Sequence, residues 1–424
     1  MPRKQSNLTA QPDNDAFFCE IPMKNSNNIL LPASIYMLIV SVLLCYGAVV
    51  LYQHFPNMYT WEELFISYEG GFIRRGLMGQ LLFLADRVLP MPIFYLVLYF
   101  VFFYTFLYIS YKKLTGVFDP IVVAFIFISP VIFLLPATDR YVFGRKDLFI
   151  EIILLCIAQI CAKCLIKEDA SLYKNTLLIS ILFVTGVLLH EMILFYFPLF
   201  AILLGVAYAR QKKISQWLFI AGSLFSITLL FTIAFSGDAV MRDAICASWR
   251  QSYPDLACKR ALRFIGLSLY DNIKLTSAHH RNVFTMGSVF LGLLLSAAPL
   301  LFLWKAYRPY KVIRNLLSAS LPLRLAFWPA VTAPFILSGI ANDFGRHISI
   351  AFVSYIFFLY AVLAAQPQPA ASWLRKLKET IAVSPRLRYS LYFFAIAYGL
   401  CWRMVHHQPI GESYVMPGVL LYLQ

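Results

Sequence analysis

TLLISILFVTGVLLHEMILFYFPLFAILLGVAY, residues 176–208, is apolar from end to end apart from small hydroxyl residues, two tyrosines and one pair at its centre, His190-Glu191. A helix needs about 20 apolar residues to cross a hydrocarbon core of about 30 Å. The stretch is therefore one overlong, tilted helix or two short spans that turn at His190-Glu191. The choice decides on which side of the membrane every later loop lies.

Basic residues make the choice. Lys and Arg accumulate in cytoplasmic loops. With the N-terminus in the cytoplasm and two spans in 176–208, one side collects the tail, Lys112-Lys113, Lys163, Lys167, Lys174, ARQKK (209–213), KAYRPYKVIR (305–314), Arg324 and the 375–388 segment. That is more than half of the 36 Lys and Arg. A single span would send every later basic loop to the wrong side, so two spans are expected.

Composition agrees with a membrane protein. Of the 424 residues 60% are hydrophobic and 13% charged, against about a quarter charged in soluble domains. Apolar segments near 31–53, 92–110, 118–136, 148–164, 176–190, 192–208, 216–236, 285–304, 322–340, 349–365 and 391–405 give about eleven transmembrane helices, an all-α polytopic fold. Residues 1–30 are polar and carry no cleavage-site pattern, which predicts a short cytoplasmic tail rather than a signal peptide. The rest, 31–424, is expected to form a single transmembrane domain with a long outer loop at 237–284. The net charge of +15 belongs first to sidedness; nucleic acid is not an expected partner.

The opposite face gathers the unusual residues. It holds SYEGGFIRRG (67–76), ATDRYVFGRKD (137–147), the His190-Glu191 turn, the 237–284 loop, NDFGRH (342–347) and HHQPIGESY (406–414), and all seven histidines lie on or beside it. One site assembled from several loops is the economical reading. Cys246 and Cys258 share the outer loop, where an oxidising compartment permits a disulfide; two separate thiols fit equally well.

Each motif has a bland and a sharp reading. Gly70-Gly71 allows a turn with positive φ, and residues 77–90 suit an amphipathic helix lying at the interface. Arg74 and Arg75 sit beside a span on the side where basic residues are scarce. They serve anionic lipid headgroups, or they grip a phosphate or pyrophosphate with the planar guanidinium fork. In DRYVFGRKDLFIE, Asp147 and Glu151 share a helix face, flanked by Arg145 and Lys146, with Asp139 and Arg140 just upstream. Interface ion pairs explain them; yet Glu151 lies a turn inside an apolar segment, where an ionisable group is costly. His190-Glu191 lacks the second histidine at i+4 of a zinc protease helix and reads as a turn or as part of a site. Asn342 or Asp343 would cap the following helix. Arg346 and His347 then fall in its first turn, where the helix dipole disfavours cations unless an anion is near.

There is no Walker loop, dinucleotide fingerprint, GxSxG or HExxH motif. What remains is chemistry that needs no ATP at the site: an activated, phosphorylated, membrane-borne donor, arginines on its leaving group, and a carboxylate base.

Residues 68–79, YEGGFIRRGLMG, resemble the [D/E]-x-GF-[I/V]-RRG-L-x-G stretch of polytopic proteins encoded in bacterial surface-polysaccharide clusters, and the GRKD, HE and NDFGRH stretches look like that group's other marks. Such proteins are taken as Wzy-type polymerases of lipid-linked repeat units or as relatives of GT-C glycosyltransferases. The resemblance implies a GT-C-like fold with an interfacial helix after the first span. It also implies a site facing the periplasm from the inner membrane, and polyprenyl-pyrophosphate-linked oligosaccharide as substrate. Arg74, Arg75, Arg140, Arg145, Lys146, Arg346 and His347 would surround the pyrophosphate, and Glu69, Asp343, Glu191 or His190 would carry the chemistry. Gly70, Gly71, Asp147 and Glu151 would support them, and Trp249, Tyr253 and Tyr270 would stack on sugar rings. Membrane lipids and other polysaccharide-export proteins are the implied neighbours. No cofactor is called for. The alternatives are a single-sugar transferase using a polyprenyl-phosphate donor, with a divalent metal, and a transporter of the same lipids.

Overall fold

The computed structural model describes residues 27–139, 142–166, 171–267, 274, 283–318, 320–340 and 343–400. The chain divides into two compact units, Met1–Ile39 and Val40–Gln424. Of the first, only residues 27–39 are described, and they are the opening turns of a helix; most of the expected tail lies outside the described residues.

Among the described residues every regular element is helical. In chain order these are α1 (Asn27–Gln53), α2 (Tyr59–Leu64), α3 (Gly76–Ala85), α4 (Met91–Thr115), α5 (Pro120–Phe127), α6 (Leu135–Thr138) and α7 (Asp147–Ile166). They continue with α8 (Leu172–Leu189), α9 (Ile193–Arg210), α10 (Ile214–Ala234) and α11 (Ala239–Ser252). After a short 3₁₀ turn at Leu262–Gly266 come α12 (Val283–Tyr307), α13 (Tyr310–Leu317), α14 (Leu321–Ile340), α15 (Phe344–Ala365), α16 (Ser372–Val383) and α17 (Pro385–Leu400). Seven of the described helices are long and apolar enough to cross a membrane: α4, α7, α8, α9, α10 and most of α1 and α15. The protein is an all-α, multi-pass membrane protein.

The deciding stretch is two helices. α8 ends at His190, whose backbone is extended, and the His190 N–H closes the last turn on Gly186 O at 2.8 Å. Glu191 and Met192 make the turn, and the Leu194 N–H to Glu191 O bond (3.0 Å) opens α9.

The 118–136 segment departs from expectation. α5 begins well, with Pro120 at its first position and Asp119 accepting from the Ile121 N–H at 3.0 Å. It stops at Phe127, because Pro130 supplies no N–H and its ring clashes with the preceding turn. Turns lead to the four-residue α6, so this segment is not one continuous helix. The interfacial helix is also shorter than the expected 77–90. It ends at Ala85, and Asp86 instead accepts from the Met91 N–H (2.8 Å) at the head of α4. The last expected span, 391–405, is described only as far as Leu400.

Burial ranks the spans. The buried share is 83% for α15, 72% for α9 and 67% for α7, against 17% for α10 and 28% for α1. α7 packs against both α9 and α15. The first three form the middle, while α10 and α1 present apolar side chains outward, as lipid-facing helices do. The expected polar stripe of an interfacial helix is weak on α3, but Leu81 and Leu84 are exposed there.

Candidate functional site

The charged residues meet at one end of the central helices: the N-termini of α7 and α15 and the α8–α9 turn. The opposite ends of the long helices carry Lys112, Lys113, Lys163, Arg210 and Lys305.

An inner group is built around two arginines. Arg145 arrives on a turn that Gly144 makes possible with φ +77°, and that turn is tied down by the Tyr95 hydroxyl donating to Gly144 O at 2.6 Å. The Arg145 guanidinium donates to Asp343 Oδ2 at 2.8 Å, lies 4.0 Å from Glu63 Oε2, and stacks 4.6 Å from the Tyr59 ring centre. Arg346, in the first turn of α15, reaches Asp147 at 3.2 Å, Asp343 at 3.2 Å and Glu63 at 3.9 Å. Both arginine side chains are only 4% exposed. Arg346, a cation in the first turn of α15, therefore has the anions that the helix dipole requires. Asp343 does not act as the expected cap: its side chain makes no capping hydrogen bond, because the two arginines hold it. Glu151 is buried one turn below Asp147, on the same face of α7.

The rim is organised differently. Gly71 turns the chain with φ +117°, and Arg75 adopts left-handed backbone with φ +69°, a conformation costing an ordinary residue about 1–2 kcal/mol. Two partners hold it there. Lys146, fully buried, donates from Nζ to the Arg75 carbonyl at 2.9 Å. Glu191 takes the guanidinium in two-point fashion, Nε to Oε2 at 2.6 Å and Nη2 to Oε1. Arg74 Nη1 is 3.8 Å from Glu191 Oε1. The side chains of Arg74 and Arg75 are 21% and 28% exposed. Two guanidiniums, Arg74 and Arg75, thus face one carboxylate, Glu191, and the Lys146 charge, held at the Arg75 carbonyl, is felt by Glu63 first and by Glu191 after it.

His190 joins the two groups. Its Nδ1 accepts from the Met192 N–H at 3.3 Å and lies 3.4 Å from Glu191, while Nε2 is 3.5 Å from Glu63 and 3.4 Å from Arg346. Burial, and then the Arg75 charge, keep the imidazole neutral, well below its usual range. Burial alone would raise the Glu191 carboxyl, but Arg75 and Arg74 together hold it well below the ordinary carboxylate value. Burial pushes the Lys146 ammonium down to about 8.

Not every expected residue joins. Glu69 is exposed and accepts from Gln80 Nε2 at 3.0 Å, outside the ion-pair cluster. His347 is buried on the far side, with its Nδ1 and carbonyl 3.4 and 3.1 Å from the Tyr196 hydroxyl. Arg140, Asn342, Tyr270 and the HHQPIGESY stretch lie outside the described residues. Glu63 was not among the expected residues, yet it touches both arginines and His190. Its signal was visible: two acids in the apolar run WEELF, where an ionisable group is costly.

The outer loop has a different role from the one expected. Cys246 and Cys258 form a disulfide. Trp249 is fully buried against Phe65 and Phe83, and its Nε1 donates to Phe65 O at 2.8 Å, so its face is not open to a sugar. The Tyr253 hydroxyl donates to Asp86, and its ring packs edge-on to Phe55. Glu62 accepts the backbone N–H groups of Lys259, Arg260 and Leu262 at 3.1, 2.6 and 3.3 Å. These contacts dock residues 239–266 onto α2 and α3, and the Arg74 N–H is fixed to Phe235 O at 2.9 Å.

Among the described residues no group of three or more His, Cys, Asp or Glu side chains is arranged to hold a metal ion. Comparison with known proteins finds no matching family model, no matching curated protein and no matching solved structure.

Proposed function

We propose that the chain is a membrane glycosyltransferase of the Wzy type. In this reading it has about eleven spans and a GT-C-like arrangement, and it joins polyprenyl-pyrophosphate-linked oligosaccharide units at the periplasmic face of a bacterial inner membrane. The observation that carries the reading is the rim: two partly exposed guanidiniums against one carboxylate at the head of α3, a helix whose Leu81 and Leu84 are exposed. An excess of fixed positive charge beside a lipid-facing surface suits a lipid-borne phosphate.

The residues divide the work. Arg74 and Arg75 neutralise the pyrophosphate as it departs, and Lys146 holds the Arg75 backbone in place. Of the expected carboxylates, Glu69 is the best base. It is exposed, its partner is the neutral Gln80 amide, and a sugar hydroxyl reaches it from solvent. Asp343 and Glu191 have their oxygens engaged by arginines. The inner arginines and their acids keep the helix ends in register.

The test is mass spectrometry of lipid-linked oligosaccharides from cells lacking the gene, complemented with the wild type, Glu69→Gln or Arg75→Ala. Accumulation of complete single repeat units, with loss of polymer in all but the wild type, is expected. A unit short by one sugar would replace the polymerase with a single-sugar transferase. Full polymer from Arg75→Ala would end the phosphate role of the rim.

A further inference from the structure

The fork that would take a phosphate is already filled. Arg75 presents Nε and Nη2 on one edge, and Glu191 occupies both. A carboxylate and a phosphate offer the same pair of oxygens to that edge. They cannot share it, because the Nε–H and Nη2–H of that edge are both taken by the carboxylate. The Glu191 side chain is 13% exposed, and the His190 ring at its back is 4% exposed. A carboxylate turned away from Arg75 therefore meets buried surroundings rather than open water.

We propose that Glu191 is a resident counter-ion of Arg75, displaced when a phosphate group binds, and that it takes up one proton from solvent as it lets go. The inference rests on the reading of the rim as a phosphate site and adds to it a residue that sets affinity. The charges facing Glu191 are Arg74 and Arg75 from the segment before α3, Lys146 from the segment before α7, and His190 on its own turn. Behind His190 stand Glu63 of α2 and Arg346 of α15. With Arg75 in place the arginines outweigh burial and the carboxylate stays ionised. With Arg75 turned to a phosphate, the largest charge opposing burial is withdrawn, Arg74 at 3.8 Å is shared with the incoming dianion, and the neutral acid is favoured. The displaced group is then a protonated carboxyl within reach of the phosphate oxygens, and the site's charge changes by less than the ligand brings.

The experiment uses the full chain in detergent with farnesyl pyrophosphate as probe. Calorimetry at pH 7, where Lys146, at about 8, still holds its proton, in two buffers of different ionisation enthalpy, counts protons taken up per probe bound. At that pH the probe is already ionised, since the second phosphate pKa is about 6. Uptake close to one proton is expected for the wild type, with Kd weakening by up to about tenfold per pH unit as pH rises. Glu191→Gln should bind roughly tenfold tighter at pH 7, the equivalent of one pH unit of linkage, and take up no proton. If Glu191→Gln does not fold, as judged by size exclusion, the wild-type proton count decides alone. Binding that depends on Arg75 without proton uptake, and with unchanged affinity where Glu191→Gln folds, overturns the displacement and leaves the phosphate site standing. Binding that is absent, or indifferent to Arg75→Ala, overturns both.

Discussion

Glu63 and Glu191 each face two arginines, with the buried His190 between them, yet the two pairs of arginines differ in how far they are buried. Around Glu63 stand Asp147, Asp343, Arg145 and Arg346, with both arginines 4% exposed. Around Glu191 the bases outnumber the acid, and the arginines are 21% and 28% exposed. Charges in the inner group are almost fully buried, so removing one leaves the rest in a poorly solvated place. Charges at the rim can exchange partners. The difference separates a structural clamp from a surface suited to binding an anion.

The comparison can be broken most severely at Arg346. Arg346→Ala removes the guanidinium that lies within 3.9 Å of Glu63, Asp147 and Asp343, and should cost about 3–5 kcal/mol, the usual consequence of halving a buried pair. Thermal unfolding of the purified protein measures it, and a loss under 1 kcal/mol would mean the inner group is better solvated than its burial says. Next in size is Glu62→Gln. One amide oxygen cannot replace two carboxylate oxygens that accept three backbone N–H groups, so a loss of about 1–3 kcal/mol is expected. Faster hydrogen exchange should appear over residues 257–263 and leave the α7 and α15 amides protected.

A pH measurement sharpens the rim. Lys146 falls from an ordinary 10.5 to about 8 on folding. Between these values the unfolded chain holds a proton that the folded chain has released, so stability should rise with pH across about 8 to 10.5. Below pH 8 the cost is fully present. Lys146→Met should flatten the rise, and an unchanged slope would show that another group supplies it. The smallest effect is expected at Glu69. Glu69→Gln should shift stability by no more than about 0.5 kcal/mol, as for surface substitutions generally, while polymer formation fails. A large drop in melting temperature would mean that Glu69 supports the fold instead of acting on substrate.

What could be read in advance followed local physics. The membrane character, the split at His190-Glu191 and the gathering of Arg145, Asp147, Glu191, Asp343 and Arg346 at one end of the helices all come from hydrocarbon thickness and the placement of lysine and arginine, which are properties of short windows. The failures are equally specific. A proline in 118–136 breaks what hydropathy draws as one span, because hydropathy does not register a missing N–H. Trp249 looks like a sugar platform in sequence and is buried in the structure, since an aromatic ring in a loop packs wherever apolar surface is nearest. Glu62 and Glu63 are adjacent and chemically near-identical. One accepts from backbone groups almost 200 residues away, and the other sits among arginines from α15 and the segment before α7.

By itself, then, the sequence determined that the chain crosses the membrane repeatedly as helices, and which end of them carries the charge. Only the tertiary structure decided which arginine faces which carboxylate. Pairing energies act over a few ångströms between side chains far apart in the chain, and helix packing alone brings them within that range.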